Sequence, residues 1–436
     1  MMADTKLNPF AGLAAPSRAK MDDFAREHVV PTLWPSATLT RLRQRYSTLE
    51  PTGEHMVLYA VELEGSEQAT FVTLRFGELD QLERIFEAHY AGPANGARRP
   101  RPVLLAEAGC LVEPFPYDWK MPGLRSAADP ESVRPLLEAV GVATSTAFAI
   151  EALRFRPGKR CVLAYHVDEG TTVIGKALER KATAERLASI LSQAQPQGEA
   201  LGVRIPRLLA LHREIGLVVM ERLDAHDLSV ELRTRPQREN QDLVERAARG
   251  LAGFHRLQLD VGGDRQLSDE LAEVRGKLES IGTEAPLLAP PANQILDDAE
   301  RRLGELPSPA PKVVHGGYKP SQAFIMGDHV GVVDLEGTCL GDPAIDVGNF
   351  LAVLHRDAAL QDDDRLRRLA ASFLSAYARA SGDVTIVQRA RVLQSIELVR
   401  IVARKYERSP SRYLHEGSRW APLRLLDEAA RCLEAA

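Results

Sequence analysis

The sequence predicts an α+β protein of two lobes, a small antiparallel-sheet lobe followed by a mainly helical one, with an extra α+β region in front of them. Three observations carry this. Between residues 146 and 224, short runs rich in Val, Leu and aromatic residues are broken by Pro-Gly and Asp-Glu-Gly turns, the pattern of antiparallel hairpins. Beyond residue 225 the apolar positions recur every three or four residues, the period of a helix face. The order strand, strand, helix also occurs twice, once before residue 125 and once after residue 146.

With 436 residues the chain is long enough for two or three domains and a large core. It is 44% hydrophobic and 26% charged, and its net charge of -5 gives no overall basic surface for nucleic acid or anionic lipid. Cys110, Cys161, Cys339 and Cys432 are widely spaced with no C-x-x-C pair, which argues against a zinc site and a disulfide framework. The start, MMADTKLNPFAGLAAPSRAK, lacks the apolar core of a signal peptide, and no apolar run reaches the length of a membrane span. A cytoplasmic protein, with neither nucleic acid nor membrane as partner, is the expectation.

Taken in order, residues 1–30 are rich in Ala, Pro and charge without a period and read as a flexible N-terminus. Residues 31–125 form an accessory α+β region, in which MVLYAVEL (56–63) and ATFVTLRF (69–76) flank EGSEQ as a hairpin and DQLERIFEAHY is helical. The stretch EPFPYDWKMPGLRSAADPES (113–132), with its four prolines, reads as a linker, and 126–145 as linker and helix. In the sheet lobe at 146–224, AIEALRF, CVLAYHV and TTVIGKAL are consecutive antiparallel strands, ATAERLASILSQ is a helix, and IPRLLAL and GLVVMERL add a strand pair. Laying VLYAVELEG (57–65) over VLAYHVDEG (162–170) brings TFVTLRF over TTVIGKA and Arg75 onto Lys176, so the accessory region reads as a degenerate copy of the sheet lobe. Its acidic turn LEPTGEH stands where RPGKR stands in the second copy, which favours packing or a homodimer contact over phosphate binding. In the helical lobe at 225–436, Leu243, Ala247, Leu251, Phe254 and Leu257 mark one amphipathic helix, DDAERRLGEL is a short helical segment, and DRLRRLAASFLSAYARASG is a helix stopped by Ser-Gly.

The chemistry concentrates at HGGYKPSQ (315–322). AFIM, a Gly327-Asp328 turn and VGVVD follow it, a tight hairpin whose second strand ends at Asp334. A hairpin returns its ends to one place, so Gln322 and Asp334 are held together, either as caps or as oxygen ligands to one hard cation. Earlier in the chain, Arg156, Lys159 and Arg160 crowd the turn between two strands, either as a solvated basic turn or as a cover for phosphate. Lys176 lies among Val173, Ile174 and Ala177 in an apolar strand, where an ammonium needs an anion; a phosphate, Glu185 or Glu179 would serve.

The segment VHGGYKPSQAFIMGDHVGVVDLEGTCLGDPAIDVGNFLA (314–352) resembles the catalytic core of the aminoglycoside phosphotransferase and choline kinase-like family, relatives of protein kinases. That family writes H-G-D-x-x-x-x-N, then a strand ending in I-D, then an acidic stretch with G-D-P and D; His315, Gly316, Gln322 in the Asn position, Asp334, Gly341, Asp342, Pro343 and Asp346 fall into register. The resemblance implies a bilobal protein kinase-like fold that uses ATP and magnesium to phosphorylate a hydroxyl of a small molecule. It implies His315 as the framework histidine of the catalytic loop, Lys319 near the transferred phosphate, Gln322 and Asp334 at the metal, and Lys176, Arg156, Lys159, Arg160 and Glu185 on the nucleotide side. Met220 and Arg222 fall at the hinge, His255 in the core, and Asp342 and Asp346 at helix caps and loop braces. Two departures stand out. No glycine-rich phosphate loop is present, which puts backbone cradling of phosphate in doubt, and Gly317 occupies the position of the family's catalytic Asp. Glu336 is the nearest carboxylate in sequence to replace that base, and three readings follow: a kinase with a substitute base, a pseudokinase, or a peptide Ser/Thr kinase.

Overall fold

The computed structural model describes residues 18–49, 53–66, 68–92, 100–145, 148–168, 170–281, 286–408 and 422–436. The fold is α+β, and these residues form two compact units: one mainly from residues up to Glu185 plus Leu209–Met220, the other mainly from Arg186–Leu208, Glu221–Tyr406 and 422–436. The chain crosses between the two units after Glu185, after Leu208, after Met220 and after Tyr406.

The first unit holds two five-stranded sheets. Strands β1 (Leu39–Leu49), β2 (His55–Leu63), β3 (Thr70–Phe76), β4 (Val103–Leu105) and β5 (Cys110–Pro114) lie in the order β1-β2-β3-β5-β4. Then come β6 (Ala149–Arg156), β7 (Arg160–His166), β8 (Thr172–Leu178), the short β9 (Val203–Arg204) of the other unit, β10 (Leu208–His212) and β11 (Leu217–Glu221). The second sheet is ordered β10-β11-β8-β7-β6, the same order read from the other end. Each sheet is a three-stranded meander followed by a helix, Leu79–Tyr90 or Lys181–Gly198, and then by a strand pair split by a 3-10 turn. Each 3-10 turn ends in a left-handed glycine, Gly109 at φ 54° and Gly216 at φ 62°. The Gly77 N–H donates to the Gly109 carbonyl at 3.3 Å, and the Leu178 N–H donates to the Gly216 carbonyl at 2.9 Å.

The cross-strand register refines the sequence overlay. Arg75 lies opposite Met56 and Lys176 opposite Val162, so placing Arg75 on Lys176 places Met56, not Val57, on Val162. A slip of one residue exchanges the two faces of a strand, so pairing rather than residue likeness decides the correspondence.

The alternation of β2 explains why nearly all of it is buried. Val57, Tyr59 and Val61 pack with Val72 and Leu74 against Met21, Phe24, Val29 and Leu33, while Leu58, Ala60 and Phe71 join a second cluster with Phe155, Cys161, Leu163 and Tyr165. Each such fully buried apolar side chain contributes about 1.5–3 kcal/mol. Two expectations fail here. Over residues 18–30 the expected flexible N-terminus is helical and buries Met21, Phe24 and Val29, because its apolar positions cover one face of the first sheet; residues 1–17 lie outside the described residues. The expected linker at 113–132 is also part of the core: Glu113 and Asp118 are buried, and Met121, Leu124 and Ala127 pack between the sheets. Pro114 and Pro116 are buried there and Pro122 is exposed, so the prolines interrupt regular structure while most of the stretch stays covered.

The second unit adds β12 (Asp264–Arg265), β13 (Lys312–Val314), β14 (Ala323–Met326), β15 (His329–Val332) and β16 (Cys339–Gly341), in sheets ordered β12-β16-β13 and β14-β15-β9. Around them lie helices that include Asn240–Phe254, Ala289–Glu305, Ala344–Gln361, Asp364–Ser381 and Ile386–Arg408. The helix Asn240–Phe254 buries the predicted Leu243, Ala247, Leu251 and Phe254, and Gly382 at φ 69° ends Asp364–Ser381 as Ser-Gly foretells. All four cysteines are free and buried. Cys432 lies 3.7 Å from His355 Nδ1, and the neighbouring Glu428 already accepts from His355 and Arg367, so this group is an ion-paired knot. Among the described residues no helix is long and apolar enough to cross a membrane.

Candidate active site

Strands β14 and β15 form the predicted tight hairpin, and its ends meet as the spacing requires. The Val333 N–H donates to the Gln322 carbonyl at 3.3 Å, and Gln322 Nε2 donates to Asp334 Oδ2 at 2.9 Å. Strand β15 ends at Val332, two residues before the expected Asp334, because Asp334 turns into the left-handed region at φ 70° and leaves the ladder. Gln322 is buried, and its Oε1 has no hydrogen-bond partner among the described residues. An unsatisfied buried amide oxygen beside a carboxylate is unusual in a folded protein and is the hard-oxygen donor set that magnesium prefers, so these residues fit the ion.

The loop before the hairpin is organised by one carboxylate. Asp346, wholly buried near the start of helix Ala344–Gln361, accepts from the His315 N–H at 2.6 Å, the Gly317 N–H at 2.8 Å, the Tyr318 N–H at 3.1 Å and His255 Nε2 at 3.0 Å. Burial alone would push its carboxyl up. The His255 hydrogen bond, the charges of His255 and His315 and the Tyr318 N–H outweigh burial and hold it down at about 2, so Asp346 is an anion that fixes the loop backbone. His255 Nδ1 lies 2.6 Å from the Tyr377 hydroxyl, which completes the expected core role of this histidine.

His315 joins the two halves of the site: its N–H is on Asp346 and its Nε2 donates to the Val333 carbonyl at 2.8 Å, just before Asp334. Tyr318 stacks on Phe350 at 5.8 Å, and Asn349 Nδ2 donates to the Tyr318 carbonyl at 2.8 Å. Asp342 accepts from the Ala344 N–H at 2.8 Å and from Arg389 Nε at 2.8 Å, a helix cap tied to the helix Ile386–Arg408. Arg265 Nη1 donates to the Gly316 carbonyl at 2.7 Å. The sequence offered no signal for Arg265, whereas Asn349, one helical turn after Asp346, shares its face and was within reach of that spacing.

At Gly317 φ is 156°, a positive value that residues with a side chain rarely adopt, although the nearest atom to an added Cβ is Asn349 Nδ2 at 3.9 Å. Space alone would admit a carboxylate there, but the backbone conformation favours glycine. Lys319, half-buried, precedes the 3-10 turn Pro320–Gln322, and Glu336 lies in the 3-10 turn Leu335–Gly337 directly after Asp334.

In the first unit Lys176 is buried on β8. The basic turn joins β6 to β7, with the Arg156 guanidinium 5.8 Å from the centre of the Tyr46 ring, Lys159 exposed and Arg160 half-buried. Glu185, an expected partner of Lys176, accepts from Arg213 Nε at 2.9 Å. Met220 is buried at the end of the unit, and the half-exposed Arg222 of the other unit lies 3.9 Å from Asp224.

The family model described as the phosphotransferase enzyme family, APH, matches residues 165–390, more than half of the chain. No protein of curated function matches by sequence. Among solved structures the chain is similar to a macrolide 2'-phosphotransferase type I, with 18% identity over 70% of this chain and 97% of that one at a TM-score of 0.45. It is also similar to the apoenzyme of macrolide 2'-phosphotransferase MphH from Brachybacterium faecium, with 16% identity over 70% and 99% at 0.46. A third is a thermostable mutant of aminoglycoside phosphotransferase APH(4)-Ia, in ternary complex with ADP and hygromycin B, with 12% identity over 70% and 99% at 0.47. Since the matched residues run from β7 through the loop, the hairpin and the Asp346 clamp, the chain belongs to the phosphotransferase enzyme family.

Proposed function

We propose that this chain is an ATP- and magnesium-dependent phosphotransferase that moves the γ-phosphate to a hydroxyl of a small molecule. The observation that carries the reading is the Gln322–Asp334 pair, with its unpartnered buried Oε1, built on the loop clamped by Asp346. Magnesium, when bound, would neutralise phosphate charge there. Lys176, Arg156, Lys159 and Arg160 supply cations for the phosphates; Met220 and Arg222 flank the adenine-side hinge; Glu185 fixes the adjoining helix through Arg213. In this reading Lys319 faces the transferred phosphoryl group, His315 holds the loop to the strand before Asp334, and Glu336 takes the acceptor's proton.

Phosphoryl transfer has a loose transition state governed by positioning and charge neutralisation, so the substitution at Gly317 weakens the reaction without abolishing it. A general base is worth roughly 10²–10⁴ in rate, about 3–5 kcal/mol of barrier. Calorimetry should show ATP binding that requires magnesium and is lost in Asp334→Ala; unchanged affinity in that variant removes the site. Gly317→Asp, which must move the backbone away from φ 156°, should raise phosphoryl transfer by less than the roughly 10²-fold that a well-placed base supplies. ATP binding without transfer to any hydroxylated acceptor, in both the wild type and Gly317→Asp, would instead establish a pseudokinase.

A further inference from the structure

The basic turn is held from outside its own sheet. Asp118, buried in the segment that follows the accessory sheet, accepts from the Gly158 N–H at 2.5 Å through Oδ2 and from the Lys120 N–H at 3.0 Å through Oδ1. Oδ1 also accepts from Arg75 Nη2 at 3.3 Å. Within the turn, the Lys159 N–H donates to the Arg156 carbonyl at 3.1 Å, and the Glu179 N–H donates to the Lys159 carbonyl at 3.0 Å. The amides of 158 and 159 are therefore both spent inside the protein. An anion at this turn is met by the side chains of Arg156, Lys159 and Arg160, not by a backbone cradle.

The charges agree. Arg75 alone faces Glu54 at 2.7 Å, Glu113 at 2.6 Å and Asp118 at 3.3 Å, three carboxylates to one guanidinium, so the accessory copy presents surplus negative charge where the basic turn docks. The Lys120 stem closes over the turn, with Cδ 3.0 Å from the position of a Cβ on Gly158.

We propose that Asp118 is a positioning residue: through the Gly158 N–H it holds the turn 156–160 in place, so that the accessory copy sets the affinity of the second sheet for a nucleoside triphosphate. Long cationic side chains on an untethered hairpin would lose much freedom on binding, and a turn tied down beforehand avoids that cost. The inference rests on the nucleotide-binding reading above, and it assigns the accessory region a part in that site.

Hydrogen exchange read by mass spectrometry, together with ATP titration in magnesium, tests it on the full chain. In Asp118→Ala, exchange over 155–161 should quicken at least tenfold while β8 stays protected, and the Kd for ATP should rise about tenfold. Asp118→Asn, which keeps one acceptor, should fall between. Unchanged exchange, or ATP affinity within twofold of wild type while Asp334→Ala abolishes binding, overturns the proposal and leaves the proposed function standing. If Asp118→Ala does not fold, Lys120→Ala replaces it: faster exchange at the turn and a Kd raised severalfold support the tether, and no change in either overturns it. A wild type that binds no ATP defeats the proposed function and the affinity half of this proposal together, and the exchange measurement then decides the tether alone.

Discussion

The two sheets of the first unit share strand order, helix placement and the glycine that ends their 3-10 turn, yet several of their equivalent positions carry different chemistry. In the register set by the ladders, Arg75 corresponds to Lys176, Glu54 to Arg160 and Glu113 to Met220. The first sheet closes on its own cation. Burial alone would lower the Arg75 guanidinium pKa, but Glu113, Asp118 and Glu54 raise it, and the Tyr90 hydroxyl adds a 2.5 Å hydrogen bond to Glu113. The second sheet keeps a basic turn and a buried lysine without an acidic turn. Backbone pairing preserves the scaffold, while the charged residues carried on it differ.

The largest expected effect tests the first half of that contrast. Arg75→Met strands three buried carboxylates and should cost about 3–5 kcal/mol in urea unfolding. Lys176→Met should register chiefly as a loss of ATP affinity, tenfold or more; if it costs as much stability as Arg75→Met and leaves ATP binding intact, the two sheets do not differ as described.

A pH series sharpens the account of the acidic cluster. Burial pushes the Asp118 carboxyl up to about 6, against the charge of Arg75 and the N–H groups of Gly158 and Lys120, with Glu113 adding to the rise. Its folded value lies above the unfolded value of about 3.9, so the folded state binds the proton more tightly. That stabilisation is fully present below about pH 4 and disappears as pH rises through 6. Stability of the wild type relative to Asp118→Asn should therefore grow by about 2 kcal/mol between pH 7 and pH 4. A difference that stays flat would mean that another member of the cluster carries the proton.

The smallest effect compares the two glycines. An added Cβ on Gly216 would sit 2.5 Å from the Leu178 carbonyl oxygen, and one on Gly109 3.3 Å from that of Gly77. Both residues have positive φ, so alanine should destabilise each by about 1 kcal/mol, with Gly216→Ala the worse by a further ~1 kcal/mol. Equal thermal shifts would show that the second turn yields more easily than its packing suggests.

What was legible in the sequence is local. The hairpin after Gln322 follows from the Gly-Asp turn, and its closure fixes Asp334 beside Gln322 without any distant contact. The helices Asn240–Phe254 and Asp364–Ser381 follow from spacing and stop signals. The misreadings share one cause. Prolines at 113–132 mark irregular backbone and read as a linker, yet Asp118 is buried on contacts with Arg75 and Gly158, about 40 residues away on either side. The overlay of the two sheets was one residue out because register belongs to the strand pair, not to either strand.

The sequence by itself determined much of the strand and helix order of the second sheet and the helical lobe, the catalytic-type loop with glycine at 317 and the pairing of Gln322 with Asp334, since each depends on periodicity or on a turn spanning a few residues. Only the tertiary structure decided that Asp346 gathers the loop through four donors, that Arg265 holds the Gly316 carbonyl, and that Asp118 of the accessory region holds the basic turn. Those contacts satisfy buried charges and amides across long stretches of chain, and which distant group meets which is settled by packing, not by sequence neighbours.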